Sequence, residues 1–305
     1  MELSLVLLKQ VIIMLCYLFL GVIGYKTRLI SDEGNKSISN LVLYIANPLL
    51  IFISYQQDFS EKLLKGLLQT LVFTTVGYVI FVVFAFVLIG KKENRETDIE
   101  RFSVIYSNCG FMGIPLAKVL FGSEGVFYIT AFNAVFNLLV WTHGVYMISG
   151  DKKQMNIKKV ATNPTIIATI LGLVLFVAKI KIPEVPYSAF NNMGGTVGPL
   201  AMLVAGVTIA RTNFLKAIVK PRIYLVTALK LLIIPIVCVL VCKLVPFNVN
   251  EVSMLTTILA FSCPSATVCT MFAIRYDKNA TYSAEIFAVT TLLSVITMPL
   301  VIFLM

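Results

Sequence analysis

Residues 107–117 read SNCGFMGIPLA, and they decide the fold because they interrupt an otherwise apolar helix. Pro115 lacks a backbone donor, and Gly110 and Gly113 tolerate the backbone angles of an unwound helix. A second interruption, with a proline at its centre, lies at residues 262–267, which read SCPSAT. We predict that both helices unwind in the middle of a membrane, where irregular backbone persists only beside protein or a water-filled cavity.

The composition of the whole chain places these interruptions in a membrane. Of the 305 residues, 58% are hydrophobic and 13% are charged, and the mean hydropathy is +0.91. A soluble domain carries roughly 25% charged residues, since it must cover its surface with polar groups. The composition therefore excludes a cytosolic enzyme, a disordered chain and a secreted disulfide scaffold. It indicates an all-α polytopic membrane protein.

Long apolar runs without the period of two that marks strands predict helices, and each helix needs about 20 residues to cross the hydrocarbon core. The predicted transmembrane spans lie at 4–25, 38–56, 66–90, 101–120, 125–149, 163–180, 190–210, 222–245, 252–274 and 281–305. The first run is followed by no small-residue cleavage site, which indicates a retained span and not a signal peptide. The sequence therefore predicts ten transmembrane helices.

The loops differ in positive charge, and this difference predicts the orientation of the chain. Loops that follow odd-numbered spans hold 17 lysines and arginines, whereas loops that follow even-numbered spans hold 5. Basic loops stay in the cytoplasm under the positive-inside rule. We therefore expect a multi-pass protein of the cell membrane with both termini extracellular. The net charge of +10 then reflects topology signals, so nucleic acid is not an expected partner.

Two proline motifs recur along the chain at almost the same offset. Asn47-Pro48-Leu49 in span 2 matches Gly198-Pro199-Leu200 in span 7, and Pro115 in span 4 matches Pro264 in span 9. Because five is an odd number, a second copy of five spans begins on the opposite side of the membrane, and the repeats are inverted. The predicted domains are a first repeat at 1–149, a cytoplasmic linker at 150–162 and a second repeat at 163–305.

The interrupted helices enclose a polar pocket if they cross. Their second halves are predicted to begin near Pro115 and Pro264, and helix N-termini favour anions. Asn108, Ser265 and Thr267 donate hydrogen bonds without the desolvation cost of a buried charge. The alternative is a pair of proline kinks in which these side chains join neighbouring helices. The predicted substrate-binding residues are Asn108, Cys109, Gly110, Gly113, Pro115, Ser262, Cys263, Pro264, Ser265 and Thr267.

Five further polar residues are secondary candidates for the site. Lys230 lies about 12 Å into span 8, where it balances the charge of a substrate anion or, alternatively, snorkels or contacts a carbonyl. Glu285, near the start of span 10, suits helix capping or, alternatively, proton coupling. Asn133 and Asn137 share a face of span 5 and either line the cavity or bond a neighbouring helix. Asn47 precedes the proline of span 2.

Four strings resemble the auxin efflux carrier family, and the resemblance covers essentially the full chain. The strings are NCGFMGIPLA at 108–117, ANPLLIF at 46–52, CPSA at 263–266 and AIRYDKNATYSAEIFA at 273–288. The resemblance implies ten helices in two inverted repeats, with broken helices 4 and 9 crossing at their prolines beside the substrate. It also implies an elevator-type carrier in which Asn108 contacts the substrate carboxylate.

The same resemblance implies a homodimer, in which helices 1, 2, 6 and 7 form a scaffold and helices 3–5 and 8–10 move. The short loop between spans 5 and 6 differs from the long cytoplasmic loop of plant members. This difference favours a bacterial-type member, with a carboxylate such as malate or an auxin-like acid as substrate.

The residues therefore predict a secondary transporter of small organic anions and not an enzyme, because they offer no paired nucleophile and base. The sequence has no Walker motif and one histidine, so neither a cofactor nor a metal is expected. The alternatives are a cation/proton antiporter or sodium-coupled symporter, and a structural or receptor-like protein. A cation site needs carboxylates, yet no acidic residue falls inside predicted spans 2 to 9. Lys118, near the outer end of span 4, is expected to snorkel.

Overall fold

The computed structural model describes residues 2–90, 96–155, 157–212, 217–244 and 250–305. Four basic loop residues that contribute to the predicted orientation, Lys91, Lys92, Arg95 and Lys216, lie outside these ranges. The α-helices are α1 (Glu2–Lys26), α2 (Asp32–Leu41), α3 (Asn47–Ser54), α4 (Glu61–Leu88), α5 (Thr97–Ile105), α6 (Ile114–Leu139), α7 (Val145–Ser149), α8 (Ile157–Ala161), α9 (Pro164–Val177), α10 (Glu184–Gly195), α11 (Val197–Ala210), α12 (Pro221–Ala228), α13 (Ile234–Leu244), α14 (Glu251–Ser262), α15 (Val268–Arg275) and α16 (Ala280–Phe303).

Wider π-helical turns join several of these helices into longer ones. The turns lie at Val42–Ala46, Cys109–Gly113, Val140–Gly144 and Leu229–Ile233. Within the described residues, seven continuous helical stretches are long and apolar enough to cross a membrane, and α9 and α14 are shorter apolar helices. The chain is therefore an all-α polytopic membrane protein, as the composition predicts.

One of the seven stretches, Cys109–Ser149, folds back on itself at Gly122. Gly122 has φ 62° and ψ −145°, a conformation that L side chains rarely adopt and glycine adopts readily. Cys109 Sγ lies 3.7 Å from Asn133 Oδ1, although the 24 residues between them would span about 36 Å in a straight helix. Gly122 falls in the predicted gap between spans 4 and 5, so the two spans form a helical hairpin.

Polar side chains fix the starts of several helices. Ser31, Ser60, Asn163, Asn250 and Asn279 each precede a helix and accept a hydrogen bond from a backbone N–H of its first turn. These bonds satisfy donors that have no partner inside the helix. Since hydropathy does not register a polar first turn, the helices begin before several predicted spans.

The most consequential of these differences concerns Glu100. Because α5 begins at Thr97 and not at residue 101, Glu100 lies in the helix that continues into predicted span 4, and it is 1% exposed. The predicted bounds of spans 2 to 9 contain no acidic residue, but this buried carboxylate lies directly beside one of them. The carboxylate is tolerated because Arg222 at the start of α12 pairs with it at 2.9 Å.

An aromatic cluster packs around the two interruptions. Phe261, near the end of α14, stacks on Phe81 of α4 with 4.8 Å between ring centroids and meets Phe132 of α6 edge-on at the same separation. Tyr78 of α4 contacts Phe261 at 5.2 Å and Tyr106 at 6.1 Å. All five rings are buried. The cluster therefore holds α4, α6 and α14 together directly beside the site.

Candidate functional site

The two interruptions lie side by side and pair through their backbones. Asn108 N–H donates to Pro264 O at 2.8 Å, and Ala266 N–H donates to Tyr106 O at 3.0 Å. Ser107 and Ser265 thereby form an isolated antiparallel bridge. Each unwound segment supplies the hydrogen bonds that the other loses on leaving its helix, which is how irregular backbone is accommodated at membrane depth.

The α-helix α6 begins at Ile114, next to Pro115 as predicted, but a π-helical turn precedes it, and the other half-helix begins four residues after Pro264. The helix that follows the first interruption begins with the π-helical turn at Cys109, six residues before Pro115, and α15 begins at Val268 and not at Pro264. In the π-helical turn, Ile114 N–H bonds Cys109 O, five residues back. This wider turn relieves the clash between a proline ring and the carbonyl four residues before it. The first amides of the turn, at Cys109 to Phe111, lack a partner inside the helix.

Most of the predicted hydroxyl and thiol donors are already used by the protein. Ser265 Oγ donates to Ser103 O at 3.1 Å, and Ser262 Oγ donates to Ile258 O at 2.8 Å. Cys263 Sγ lies 3.4 Å from Leu259 O. These side chains therefore stabilise the crossing and have no spare hydrogen for a ligand. Thr267 precedes α15, is half-buried and makes no cap through its hydroxyl.

Asn108 is different, because its side-chain amide has no hydrogen-bond partner among the described residues, although the side chain is 6% exposed. The amide atoms of Asn108 are not among the fully buried polar atoms that lack a partner, so the amide reaches accessible space and is free to bind a ligand or water. The Cβ position of Gly110, two residues along, faces open space. Asn108 and Gly110 therefore form the accessible side of the crossing.

Lys230 lies directly behind the crossing. Its side chain is fully buried, and Nζ donates to Ser107 Oγ at 2.6 Å and lies 4.7 Å from the centre of the Phe81 ring. No carboxylate of the described residues lies within ion-pair distance. The snorkelling alternative is therefore wrong, because the ammonium group points into the protein. The ammonium group therefore lies next to the Ser107 hydroxyl, which belongs to the unwound segment.

The asparagines of span 5 bond neighbouring elements and do not line the cavity. Asn137 Nδ2 donates to Asn133 O at 2.8 Å, and Asn163 Nδ2 donates to Asn137 Oδ1 at 3.0 Å. Asn133 Oδ1 faces Cys109 Sγ. Of the two open alternatives, the structure favours interhelical bonding. Asn47 is buried, and its side-chain amide oxygen, Oδ1, has no partner within the described part of the chain.

Glu285 belongs to a charge cluster that joins α5, α12 and α16. It pairs with Lys220 at 2.5 Å, and the carboxylate side chain is 4% exposed. Tyr282, on the same helix, donates to the Glu100 carboxylate at 3.0 Å. Helix capping is therefore not the role of Glu285, because Asn279 caps α16. Both buried carboxylates have cationic partners, so neither offers an unpaired ligand for a transported cation.

A cavity of about 230 Å³ opens beside Pro115. Gln10 and Tyr17 of α1, Lys118 of the half-helix after the crossing, and Gly195 at the end of α10 are among the residues that line it. Lys118 Nζ is held 3.4 Å from Asn191 Oδ1 of α10. The Lys118 side chain is half-buried and lines this cavity, and its snorkelling stays a prediction. The sequence marks Lys118 only as a lysine three residues after the proline of a broken helix, and the cavity beside it becomes visible only in the folded chain.

Two tyrosines near the crossing, Tyr106 and Tyr78, were not predicted from the sequence as site residues. Tyr106 OH lies 2.7 Å from Nδ1 of His143, the one histidine of the chain, while Tyr106 O accepts from Ala266. The Tyr78 hydroxyl is buried without a partner among the described residues. No local motif marks either residue, because both depend on contacts between elements that are distant in sequence.

These features define a class of protein. The buried polar site lies where two interrupted membrane helices meet, and in the described ranges no group of three His, Cys, Asp or Glu residues is placed to hold a metal ion. Broken membrane helices that meet at a buried polar site are typical of proteins that bind and pass a solute. The fold and the site are those of a membrane transporter.

The chain belongs to the family described as "Membrane transport protein", the auxin efflux carrier family, whose model matches residues 6–302. It is 26% identical to an "Uncharacterized transporter" of Methanothermobacter thermautotrophicus, over 97% of this chain and 95% of the relative. It is 25% identical to "Uncharacterized transporter YfdV" of Escherichia coli K12, over 97% and 96% of the two chains. A "Putative malonate transporter" of Rhizobium meliloti is 26% identical over 92% and 91%. The protein is thus a transporter and not an enzyme.

Proposed function

We propose that the protein is a secondary transporter of small organic anions, and that the substrate carboxylate binds Asn108 at the crossing. The observation that carries this proposal is the Asn108 amide at the crossing, which reaches accessible space and has no hydrogen-bond partner among the described residues. The first amides of the Cys109 turn and the ammonium group of Lys230, one hydroxyl away, make the same place favourable for negative charge.

The cavity beside Pro115 does not include Asn108, but its size favours small carboxylates over large acids on the way to the crossing. Its volume of about 230 Å³ lies below the roughly 300–1,000 Å³ of pockets for drug-sized ligands. The name of the Rhizobium meliloti relative points to malonate, a three-carbon dicarboxylate. We therefore take malonate and malate as first substrates to test, ahead of indole acids.

The proposed architecture follows the family resemblance. It has ten transmembrane helices in two inverted repeats, a scaffold of helices 1, 2, 6 and 7, and a moving part of helices 3–5 and 8–10. The cavity supports this division, because it lies between α1, α3, α10 and α11 on one side and the half-helix of Pro115 on the other. The proposal includes an elevator-type cycle, a homodimer in the cell membrane and extracellular termini.

Flux of labelled malonate into proteoliposomes tests the function. We expect uptake that excess unlabelled malonate accelerates when it is preloaded inside, which is the property of a carrier. Empty liposomes are the control. A thermal-shift screen of mono-, di- and tricarboxylates and indole acids ranks the ligands, since binding to the native state raises Tm. Absence of both flux and any ligand-induced shift would refute the proposal.

Gly113→Leu is expected to abolish malonate uptake and to lower thermal stability. A Cβ at Gly113 would lie 3.0 Å from Ile129 Cδ1 and 3.3 Å from Cys263 Sγ, so a leucine side chain would force the two interruptions apart. Gly110→Ala is the matched control, because a Cβ at Gly110 meets nothing within 4 Å. We expect Gly110→Ala to keep the wild-type Tm. Wild-type uptake by Gly113→Leu would contradict the tight crossing.

Lys230→Met is expected to reduce malonate uptake about tenfold while Tm changes little or rises. The substitution removes a fully buried ammonium group that stabilises an anion at the crossing but carries its own desolvation cost. The checks are uptake in proteoliposomes and thermal unfolding in detergent. A large fall in Tm with near-normal uptake would assign Lys230 a purely structural role.

A further inference from the structure

The cavity beside Pro115 is separate from the Asn108 site. Its lining does not include Asn108, and Lys118 follows Asn108 by ten residues, or about 15 Å of helix. Two carboxylates of one small diacid lie only a few ångströms apart and cannot reach both groups. Whatever binds at Lys118 therefore binds before or after it binds at Asn108.

Lys118 gives this cavity a positive charge. Within the described residues no carboxylate lies within 4.0 Å of its ammonium group, and the side chain is held at 3.4 Å by the neutral Asn191 amide oxygen. The Gln10 amide and the Tyr17 ring face the same space. An uncompensated cation in a concave, partly apolar site attracts and concentrates anions.

The position of the cavity suggests when an anion occupies it. Lys118 lies between the crossing and the Gly122 turn, so the cavity is on the Gly122 side of the crossing. Pro115 lines the cavity and belongs to the helix that starts at the crossing. A solute that enters from this side therefore meets Lys118 first and then moves along that helix towards Asn108.

We propose that Lys118 and Gln10 form a second anion site, which captures a small carboxylate on its way between the Gly122 side of the membrane and the crossing. This inference rests on the proposed function, because it deepens the route of the same substrate. Lys118 binds the carboxylate by charge, Gln10 donates to it from its amide, and Asn191 positions the ammonium group by accepting a hydrogen bond from it.

A thiol reporter tests the charge of the cavity without any substrate. Gly195 lines the cavity, and a Cβ there meets nothing within 4 Å, so Gly195→Cys is tolerated. In a background with the exposed Cys16 replaced by Ser, rates are measured for an anionic and a cationic methanethiosulfonate reagent. We expect Lys118→Gln to lower the anionic-to-cationic rate ratio at least tenfold. Lys118→Arg keeps the ratio, and Lys9→Gln, an exposed lysine of α1, changes it less than twofold.

An unchanged ratio in Lys118→Gln would overturn the site. Malonate at millimolar concentration is expected to slow the anionic reagent at Gly195→Cys in the Lys118 protein and not in Lys118→Gln. Lack of protection in the Lys118 protein would overturn the assignment to small carboxylates. The rate ratio and the protection by malonate can both be measured whether or not malonate is transported. A failure of the second site is therefore distinguishable from a failure of the proposed function.

Transport kinetics test the place of the site on the route. With malonate supplied from the Gly122 side, Lys118→Gln is expected to raise KM about tenfold, to keep the maximal rate within twofold and to lose most of the salt dependence of KM. With malonate supplied from the opposite side, KM stays at the wild-type value. A KM that is unchanged from both sides, or a loss of maximal rate that Lys118→Arg does not restore, would overturn the proposal.

Discussion

Asn108→Ala is expected to reduce malonate uptake at least tenfold while the protein remains folded. The amide is the unpartnered group at the crossing, and a hydrogen bond to a charged ligand contributes about 1.5–3 kcal/mol, or roughly tenfold to a hundredfold in affinity. Uptake into proteoliposomes measures the effect, and thermal unfolding shows that the fold is intact. Asn40→Ala, at an exposed asparagine of α2, is the matched control and should transport normally.

Asn108→Asp separates an anion carrier from a cation carrier. The new side chain keeps the shape of asparagine but places a negative charge where the substrate carboxylate binds. For an anion carrier we expect a loss of uptake larger than that of Asn108→Ala. Retained malonate flux in both variants would remove Asn108 from the site, and sodium- or proton-dependent gain in Asn108→Asp would favour the cation alternative.

Arg222→Met is expected to destabilise the protein by about 3 kcal/mol, the largest stability effect that we predict. Among the described residues, it leaves the Glu100 carboxylate, which is 1% exposed, with Tyr282 as its remaining side-chain donor. Removing one partner of a buried ion pair typically costs about 3–5 kcal/mol, and we take the lower end because Arg222 is 28% exposed. Thermal or denaturant unfolding in detergent measures the loss.

The double variant Glu100→Gln/Arg222→Met is the decisive control for this pair. Because it removes the uncompensated charge, we expect it to recover a large part of the stability lost in Arg222→Met. If the loss of unfolding free energy in the double variant equals the sum of the losses in the two single variants, Glu100 and Arg222 do not interact through their charges. The matched control at an exposed pair, Lys65→Met beside Glu61, should change stability by less than about 1 kcal/mol.

Much of the helical framework follows from composition, because apolar runs of membrane length allow little besides helices. The interruptions at Asn108 and Pro264 were also predictable, since glycine, proline and an amide within a few residues disrupt a helix. Their pairing required the internal repeat as a second clue. The bridge between Ser107 and Ser265 itself is made by backbone atoms, which leave no trace in the choice of residue.

The charged parts of the molecule were less predictable. Glu100 and Arg222 are 122 residues apart, so hydropathy alone left the carboxylate outside predicted span 4 and gave no sign of its buried ion pair. Ser265 resembled a ligand donor in sequence, yet its hydroxyl serves Ser103 O. Lys118 required knowledge of the cavity. In each case the role of a polar side chain depends on a partner that only the folded chain supplies.

The contact between the two broken helices is made by backbone hydrogen bonds, from Asn108 to Pro264 and from Ala266 to Tyr106. Hydrogen bonds between backbone atoms tolerate most side-chain substitutions. The mechanical frame can therefore be inherited almost unaltered while neighbouring side chains drift. Selection for a new nutrient or waste acid then needs only a few point changes around this contact, so a single ancestral frame is able to diversify its cargo.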